Sequence, residues 1–221
     1  HDFVFTVECN TSSIFWAVDR GLYTVASLLL SKGSKTKMPD VNKGEYGLTC
    51  PLHQAVYRQR VDLVKLLLEH GADVNARDNS FYTPLQGACS EAHSIQKAFE
   101  LAQVLVQDGR ADVNLTDAAE QTCLIWEAAK GRTKLVKLLL EGGNAFVDAV
   151  DEVGRSALYY ASEGNSIPVV EALLEAGANV NILNANDRTS LHVAVRRKHL
   201  KVAKILLAHG ANPDAIDEEG K

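Results

Sequence analysis

Apolar and polar positions alternate along this chain in a long, repeated pattern. Five leucine-rich runs, Leu66-Leu67-Leu68, Val104-Leu105-Val106, Leu138-Leu139-Leu140, Ala172-Leu173-Leu174 and Ile205-Leu206-Leu207, read as buried stretches of short helices. Each is followed by a polar phrase: Gly71-Ala72-Asp73-Val74-Asn75, then more loosely Gly109 to Asn114 and Gly143 to Asp148, then Gly177-Ala178-Asn179-Val180-Asn181 and Gly210-Ala211-Asn212-Pro213-Asp214. Upstream in each unit stands a second apolar anchor, such as Thr49-Cys50-Pro51-Leu52-His53, Thr83-Pro84-Leu85, Thr122-Cys123-Leu124, Ser156-Ala157-Leu158 or Thr189-Ser190-Leu191-His192. Aligning Ile14, Leu52, Leu85, Leu124, Leu158 and Leu191 gives six units at intervals of about 33 to 39 residues, a period that signals stacked repeats.

The local chemistry of a unit follows from its punctuation. Thr83 is a helix cap, and Pro84 sits in the first turn, where a missing N–H costs nothing. Gly71 and Gly210 supply the left-handed residue that ends the second helix. Asp78, Asp117, Asp151 and Asp217 then suit the hydrogen bonding of a tight turn. Neither helix of a pair can bury its apolar stripe alone, so neighbouring units must supply the core.

Three units are irregular. The polar segment Ser34 to Asp40 predicts a loop outside the stack, and an insertion of about five residues within Ser90 to Phe99 lengthens the turn of the third unit. In the fourth unit, strict alignment on Leu124 puts Glu127 where a small buried residue belongs. Because an unpaired buried carboxylate costs several kcal/mol, we expect a one-residue shift that places Ala128 there, with a shortened turn near Lys130-Gly131-Arg132 and Glu127 free to face a partner.

These anchors resemble the ankyrin repeat over nearly the whole chain. The resemblance implies an all-α fold, an ankyrin-repeat solenoid of stacked helix-turn-helix pairs with β-hairpin loops. It implies a single domain over 1–221, with repeats at approximately 10–40, 41–77, 78–116, 117–150, 151–183 and 184–216, and 217–221 opening a further hairpin. The chain is expected to be part of a longer protein, and the segment Phe3 to Val7 is expected to cover the first unit.

Composition narrows the function classes. A net charge of −5 gives no general reason for nucleic-acid binding, which is disfavoured, and no window nears the roughly 18 apolar residues of a membrane span. Cys9, Cys50, Cys89 and Cys123 form no Cys-x-x-Cys pair, and the last three fall at small buried positions, which suggests reduced core thiols and an intracellular setting, cytoplasmic or nuclear. No phosphate loop, nucleophile elbow or zinc-helix motif is present, so neither an enzyme nor a cofactor is expected. His53 and His192 belong to the anchor, where the family uses the ring to link hairpin and helix.

The resemblance directs attention to the concave face and hairpin tips, where ankyrin repeats bind partners. There the candidates are Tyr46, Tyr57, Arg58, Arg77, Phe81 and Tyr82, aromatic and arginine side chains of the type that anchors interfaces. Phe81 occupies a turn position usually given to glycine, and either anchors a partner or folds back onto the neighbouring hairpin. Arg188, Arg196 and Arg197, with Lys198, Lys201 and Lys204, form a basic patch suited to an acidic partner. Trp126, Glu127, Tyr159, Tyr160 and Glu163 are candidates for an aromatic cage like that with which some ankyrin repeats hold methylated lysine. Asn75, and less clearly Asn114 and Asn181, resemble sites of asparaginyl hydroxylation in ankyrin domains.

The function these features imply is a non-enzymatic scaffold that binds a protein or extended peptide, such as a substrate-recruiting adaptor. The alternatives are a regulatory or targeting domain of a larger catalytic or channel protein, and a methyl-lysine reader.

Overall fold

The computed structural model describes residues 13–31, 40–44, 49–90 and 94–220. Tyr46, Cys9, the segment Phe3 to Val7, and most of the loop at 34–40 lie outside them, as does part of the insertion in the third unit. Among the described residues, six helix pairs stack in chain order: α1 (Ser13–Asp19) with α2 (Tyr23–Ser31), α3 (Pro51–Tyr57) with α4 (Val61–Glu69), α5 (Pro84–Ala88) with α6 (Ile95–Gln103), α7 (Cys123–Ala129) with α8 (Thr133–Lys137), α9 (Ala157–Glu163) with α10 (Ile167–Glu175), and α11 (Ser190–Arg196) with α12 (Leu200–Ala208). The inner helices α1, α3, α5, α7, α9 and α11 form one layer and their partners the other. The described parts of the links between pairs are mainly turns, with one isolated antiparallel bridge between described residues, Val150 with Ser156.

The inner helices begin as the sequence predicts. Thr83, Thr122, Ser156 and Thr189 accept a hydrogen bond from the N–H three residues on, and Gln86 and His192 reach back to complete the reciprocal cap at Thr83 and Thr189. The second helices end in a left-handed residue, Gly71 (φ +82°), Gly177 (+85°) or Gly210 (+87°). In the third and fourth units that conformation falls one residue beyond the glycine, at Arg110 (+56°) and Asn144 (+53°). Each of those second helices runs on into a single π-type turn, Val104–Asp108 and Leu138–Gly142, which absorbs the extra residue.

One continuous apolar core runs the length of the stack, built from equivalent leucines: Leu52, Leu85, Leu124 and Leu158 are almost fully buried between inner helices, and Leu67, Leu105, Leu139 and Leu173 between outer ones. Truncating any of these to alanine leaves a cavity that costs about 2–5 kcal/mol. A second device sets the register between units. The side-chain oxygens of Asn42, Asn75, Asn114, Asp148 and Asn181 each accept the backbone N–H of the next unit, at Asp73, Asp112, Phe146, Asn179 and Asn212, over 2.7–2.9 Å. Asn114 and Asn181 also donate to the next unit's terminal carbonyl, at Asn144 and Gly210.

His53 is buried and links hairpin to helix: its Nε2 donates to the Tyr82 carbonyl at 2.9 Å, which leaves Nδ1 to accept from the Cys50 thiol at 3.0 Å. Burial holds its pKa below the usual imidazole value, outweighing the carbonyl bond and the Asp78 and Asp73 charges. The folded ring therefore resists protonation more than the unfolded one, so its contribution is present above the unfolded pKa of about 6.5 and is lost as pH falls below it. Gln86 stands at the equivalent position one unit on and donates to the Leu115 carbonyl. The His53→Gln variant should keep its melting temperature at pH 7.5 within a few degrees but lose less of it between pH 7 and pH 5; parallel pH dependence of the two proteins would contradict the assignment.

Candidate functional site

The sequence-derived candidates among the described residues stand in distinct states. Tyr57 is exposed, rests against Gly87, and donates its hydroxyl to Asp78. Burial, then that bond, push the phenol's pKa up. Arg58 is exposed and pairs with Asp19 at 2.6 Å across units one and two. Arg77 donates from Nη1 to two carbonyls, Phe81 of its own turn and Thr116 of the next unit, both at 3.0 Å, so it tethers adjacent hairpins.

Phe81 is the exception. It sits at the third position after Asp78, equivalent to Glu120, Gly154, Asp187 and Gly220, and all five are left-handed. Phe81 adopts φ +63° while 62 % of its surface stays in water, so it does not fold back over the neighbouring hairpin. An L-residue in this conformation costs roughly 1–2 kcal/mol relative to glycine.

Further along, a hydrogen-bonded aromatic row occupies the inner-helix face. Tyr82 meets Trp126 edge-on at 5.5 Å, the Trp126 indole N–H donates to the Gln121 carboxamide oxygen, and the Gln121 amide donates to the Tyr160 hydroxyl. That hydroxyl donates in turn to Asp151, whose other oxygen accepts the N–H groups of Val153 and Arg155. Burial acts to raise the Asp151 pKa, but the bonds from Tyr160 and Arg155 outweigh it and hold the carboxyl low.

The rings of the candidate cage have cations of this chain beside them. The Lys130 ammonium lies 5.5 Å over the Trp126 ring and the Arg155 guanidinium 4.8 Å over Tyr160, so the chain's own cations take the faces a methylated lysine would need. Tyr159 is buried, packed edge-on against Tyr160, and Glu163 pairs with Arg197.

Glu127 corrects the reading of the fourth unit. There is no register shift: Thr122 and Cys50 stand at the N-cap positions of α7 and α3, and the left-handed residue of the turn falls nine positions later in both, at Gly131 and Gln59. Glu127 therefore takes the place of Ala55, Ala88, Ala161 and Ala194, and it is fully buried rather than facing a partner. The expected penalty is reduced by cations from the same turn: Lys130 at 3.4 Å, which also donates to the Cys89 carbonyl, and Arg132 at 3.6 Å, beyond hydrogen-bond reach. Sequence spacing already held this signal, since both cations follow Glu127 within five residues.

Of the basic patch, Arg188 pairs with Asp217 at 2.9 Å and Glu219 at 2.6 Å, and Arg197 with Glu163 at 2.6 Å. Among the described residues Arg196 makes no ion pair and is exposed. Asn75 is half-buried, its side chain engaged as a rung to Asp112. Sequence reasoning missed the row of aliphatic side chains preceding the turn Asx residues, Val150, Leu183 and Ile216, which are all exposed.

Burial pushes the Glu127 pKa up, and Lys130 and Arg132 offset this only in part. Folding therefore takes up a proton above the ordinary carboxyl pKa, and Glu127 weighs against stability as pH rises through its folded pKa. The Glu127→Gln variant should melt higher than the parent at pH 8, with the difference shrinking toward pH 5; a variant destabilised equally at both pH values would show that the pairs outweigh the desolvation.

Comparison with known proteins agrees with this architecture. A family profile described as "Ankyrin repeats (3 copies)" matches residues 14–117 and 85–184, and one described as "Ankyrin repeat" matches 186–218. The chain is 28 % identical over 181 residues to human transient receptor potential cation channel subfamily A member 1, covering 79 % of this chain and 16 % of that protein. It is 29 % identical over 218 residues to mouse Rabankyrin-5 (94 % and 18 %) and 30 % identical over 216 residues to human ankyrin repeat and SOCS box protein 6 (95 % and 45 %). It thus spans less than half the length of each. The crystal structure of the ankyrin repeat domain of Bcl-3 superimposes with a TM-score of 0.83 at 28 % identity, covering 97 % of this chain and 92 % of that one. No helix among the described residues is long and apolar enough to cross a membrane.

Proposed function

The chain belongs to the ankyrin repeat family, whose domains are generally non-catalytic interaction modules, and from that membership we propose that it is a rigid scaffold holding a protein or extended peptide along its hairpin tips and inner-helix face. Phe81 carries this reading. A phenyl ring kept in water, in a backbone conformation that favours glycine, brings the fold no compensating burial; desolvation by a partner would provide it. Tyr57, Arg58 and Arg77 lie on the same or adjacent units and are already held by intramolecular bonds, so little ordering entropy is lost on docking.

The role of a substrate-recruiting adaptor draws support from the similarity to a SOCS box protein, and that of a regulatory domain from the similarity to a cation channel. At the far end of the stack, exposed Arg196 with Lys198, Lys201 and Lys204 supports an acidic contact on the helical side of the last unit.

The Phe81→Gly variant tests the reading through two opposed effects. Its melting temperature should rise by a few degrees, since roughly 1 kcal/mol of strain is relieved, while partners captured by the parent domain from lysate should be lost. Partners retained in full by the more stable variant would remove Phe81 from the interface.

A further inference from the structure

The hairpins of the last three units differ from those before them. The residue preceding the turn Asx is Arg77 or Thr116 in the earlier hairpins, but Val150, Leu183 and Ile216 in the later ones, one per unit at a spacing of 33 residues. These side chains are 38 %, 51 % and 68 % exposed, and Val153 in the turn between the first two is 37 % exposed. Val150 and Leu183 have the following unit already stacked on them, so their exposure is not that of an unfinished end.

The three turns are joined by backbone hydrogen bonds. The Ala185 N–H donates to the Val153 carbonyl at 2.9 Å, and the Glu218 N–H to the Asn186 carbonyl at 3.3 Å. The aliphatic side chains therefore stand on one continuous ridge.

The charge of this ridge is equally distinct. Residues 148–155, 181–188 and 214–220 hold eight carboxylates and two arginines, and both arginines are engaged within the fold, Arg155 with Asp151 and Arg188 with Asp217 and Glu219. Glu152, Asp187 and Glu218 are exposed beside the aliphatic row.

We propose that this ridge docks an extended basic segment of another protein, one that carries aliphatic side chains at every third position with lysine or arginine between them. The spacing follows from the stack. Packed helices lie about 8–10 Å apart, and a polyproline-II segment advances about 3.1 Å per residue with three residues per turn. One side chain in three therefore meets a successive hairpin, and the intervening cations face Glu152, Asp187 and Glu218. An acidic segment would meet uncompensated like charge on the same ridge. This surface is separate from Phe81, and its occupancy depends on neither that residue nor the partner it binds.

The probe is a fluorescein-labelled twelve-residue peptide with leucine at every third position and lysine elsewhere, compared with versions carrying glutamate for lysine or serine for leucine. Fluorescence anisotropy at 0.15 M salt should show binding of the leucine–lysine peptide to the intact chain, at least tenfold weaker for either control peptide. Leu183→Ser and Glu152→Lys, both surface changes that should leave the melting temperature within a few degrees, should each weaken binding about fivefold or more, whereas Phe81→Gly should not. Hydrogen exchange should slow in the turns at 148–155, 181–188 and 214–220. The proposal is overturned if the leucine–lysine peptide does not bind, if the serine version binds equally well, or if binding is unchanged in Leu183→Ser. Protection confined to other parts of the stack would overturn it too.

Discussion

Stacking between neighbouring units is the constraint on which everything else in this molecule rests. A single helix pair here has inner and outer helices of five to nine residues, too short to persist alone in water. The leucines of one layer are buried only because the next unit covers them, and the side-chain rungs from Asn42 to Asn212 fix the relative height of successive units while that contact forms. Hydrophobic burial thus supplies the attraction, and the rungs supply the register. Cooperativity along the stack follows, because a unit that loses its neighbour loses both.

The same constraint determines where interaction chemistry can be displayed. Positions that meet the neighbouring unit are committed to the core, so variation is confined to the turns and to the solvent side of the helices. Even there, much of what looks available is already used. Tyr57, Arg77, Trp126, Tyr160 and Arg188 carry bonds that tie one unit to the next or brace a turn within it. Among the described residues, the uncommitted side chains of the hairpin edge include the exposed phenyl ring of Phe81 in the first half and an aliphatic row with exposed carboxylates in the second. The two ends of the hairpin edge therefore present different chemistry on one rigid frame.

Glu127 shows how a repeat tolerates a residue that its position forbids in the other units. The site is made for alanine, and a carboxylate there is desolvated as completely as a leucine would be. The turn immediately following provides Lys130 and Arg132, whose charged heads lie 3.4 and 3.6 Å from the carboxylate, while Lys130 also donates to the Cys89 carbonyl. Local sequence thus offsets part of a local cost, and α7 keeps the register of the other inner helices.

By itself the sequence determined the repeat, its period, the inner-helix caps and the identity of most core leucines, because these depend on short-range spacing and on the shape of individual residues. Pro84 and Thr83 announce a helix start, and Gly71 a helix end, regardless of what packs nearby. Tertiary structure alone decided which polar and aromatic side chains are free, since that depends on partners 20 to 40 residues away. Arg77 reaches Thr116, Arg188 reaches Asp217, Arg197 reaches Glu163, and Gln121 joins Trp126 to Tyr160. Exposure of Phe81 in a left-handed turn, and alignment of Val150, Leu183 and Ile216 on adjoining hairpins, likewise come only from stacking, which turns a period in sequence into a row in space.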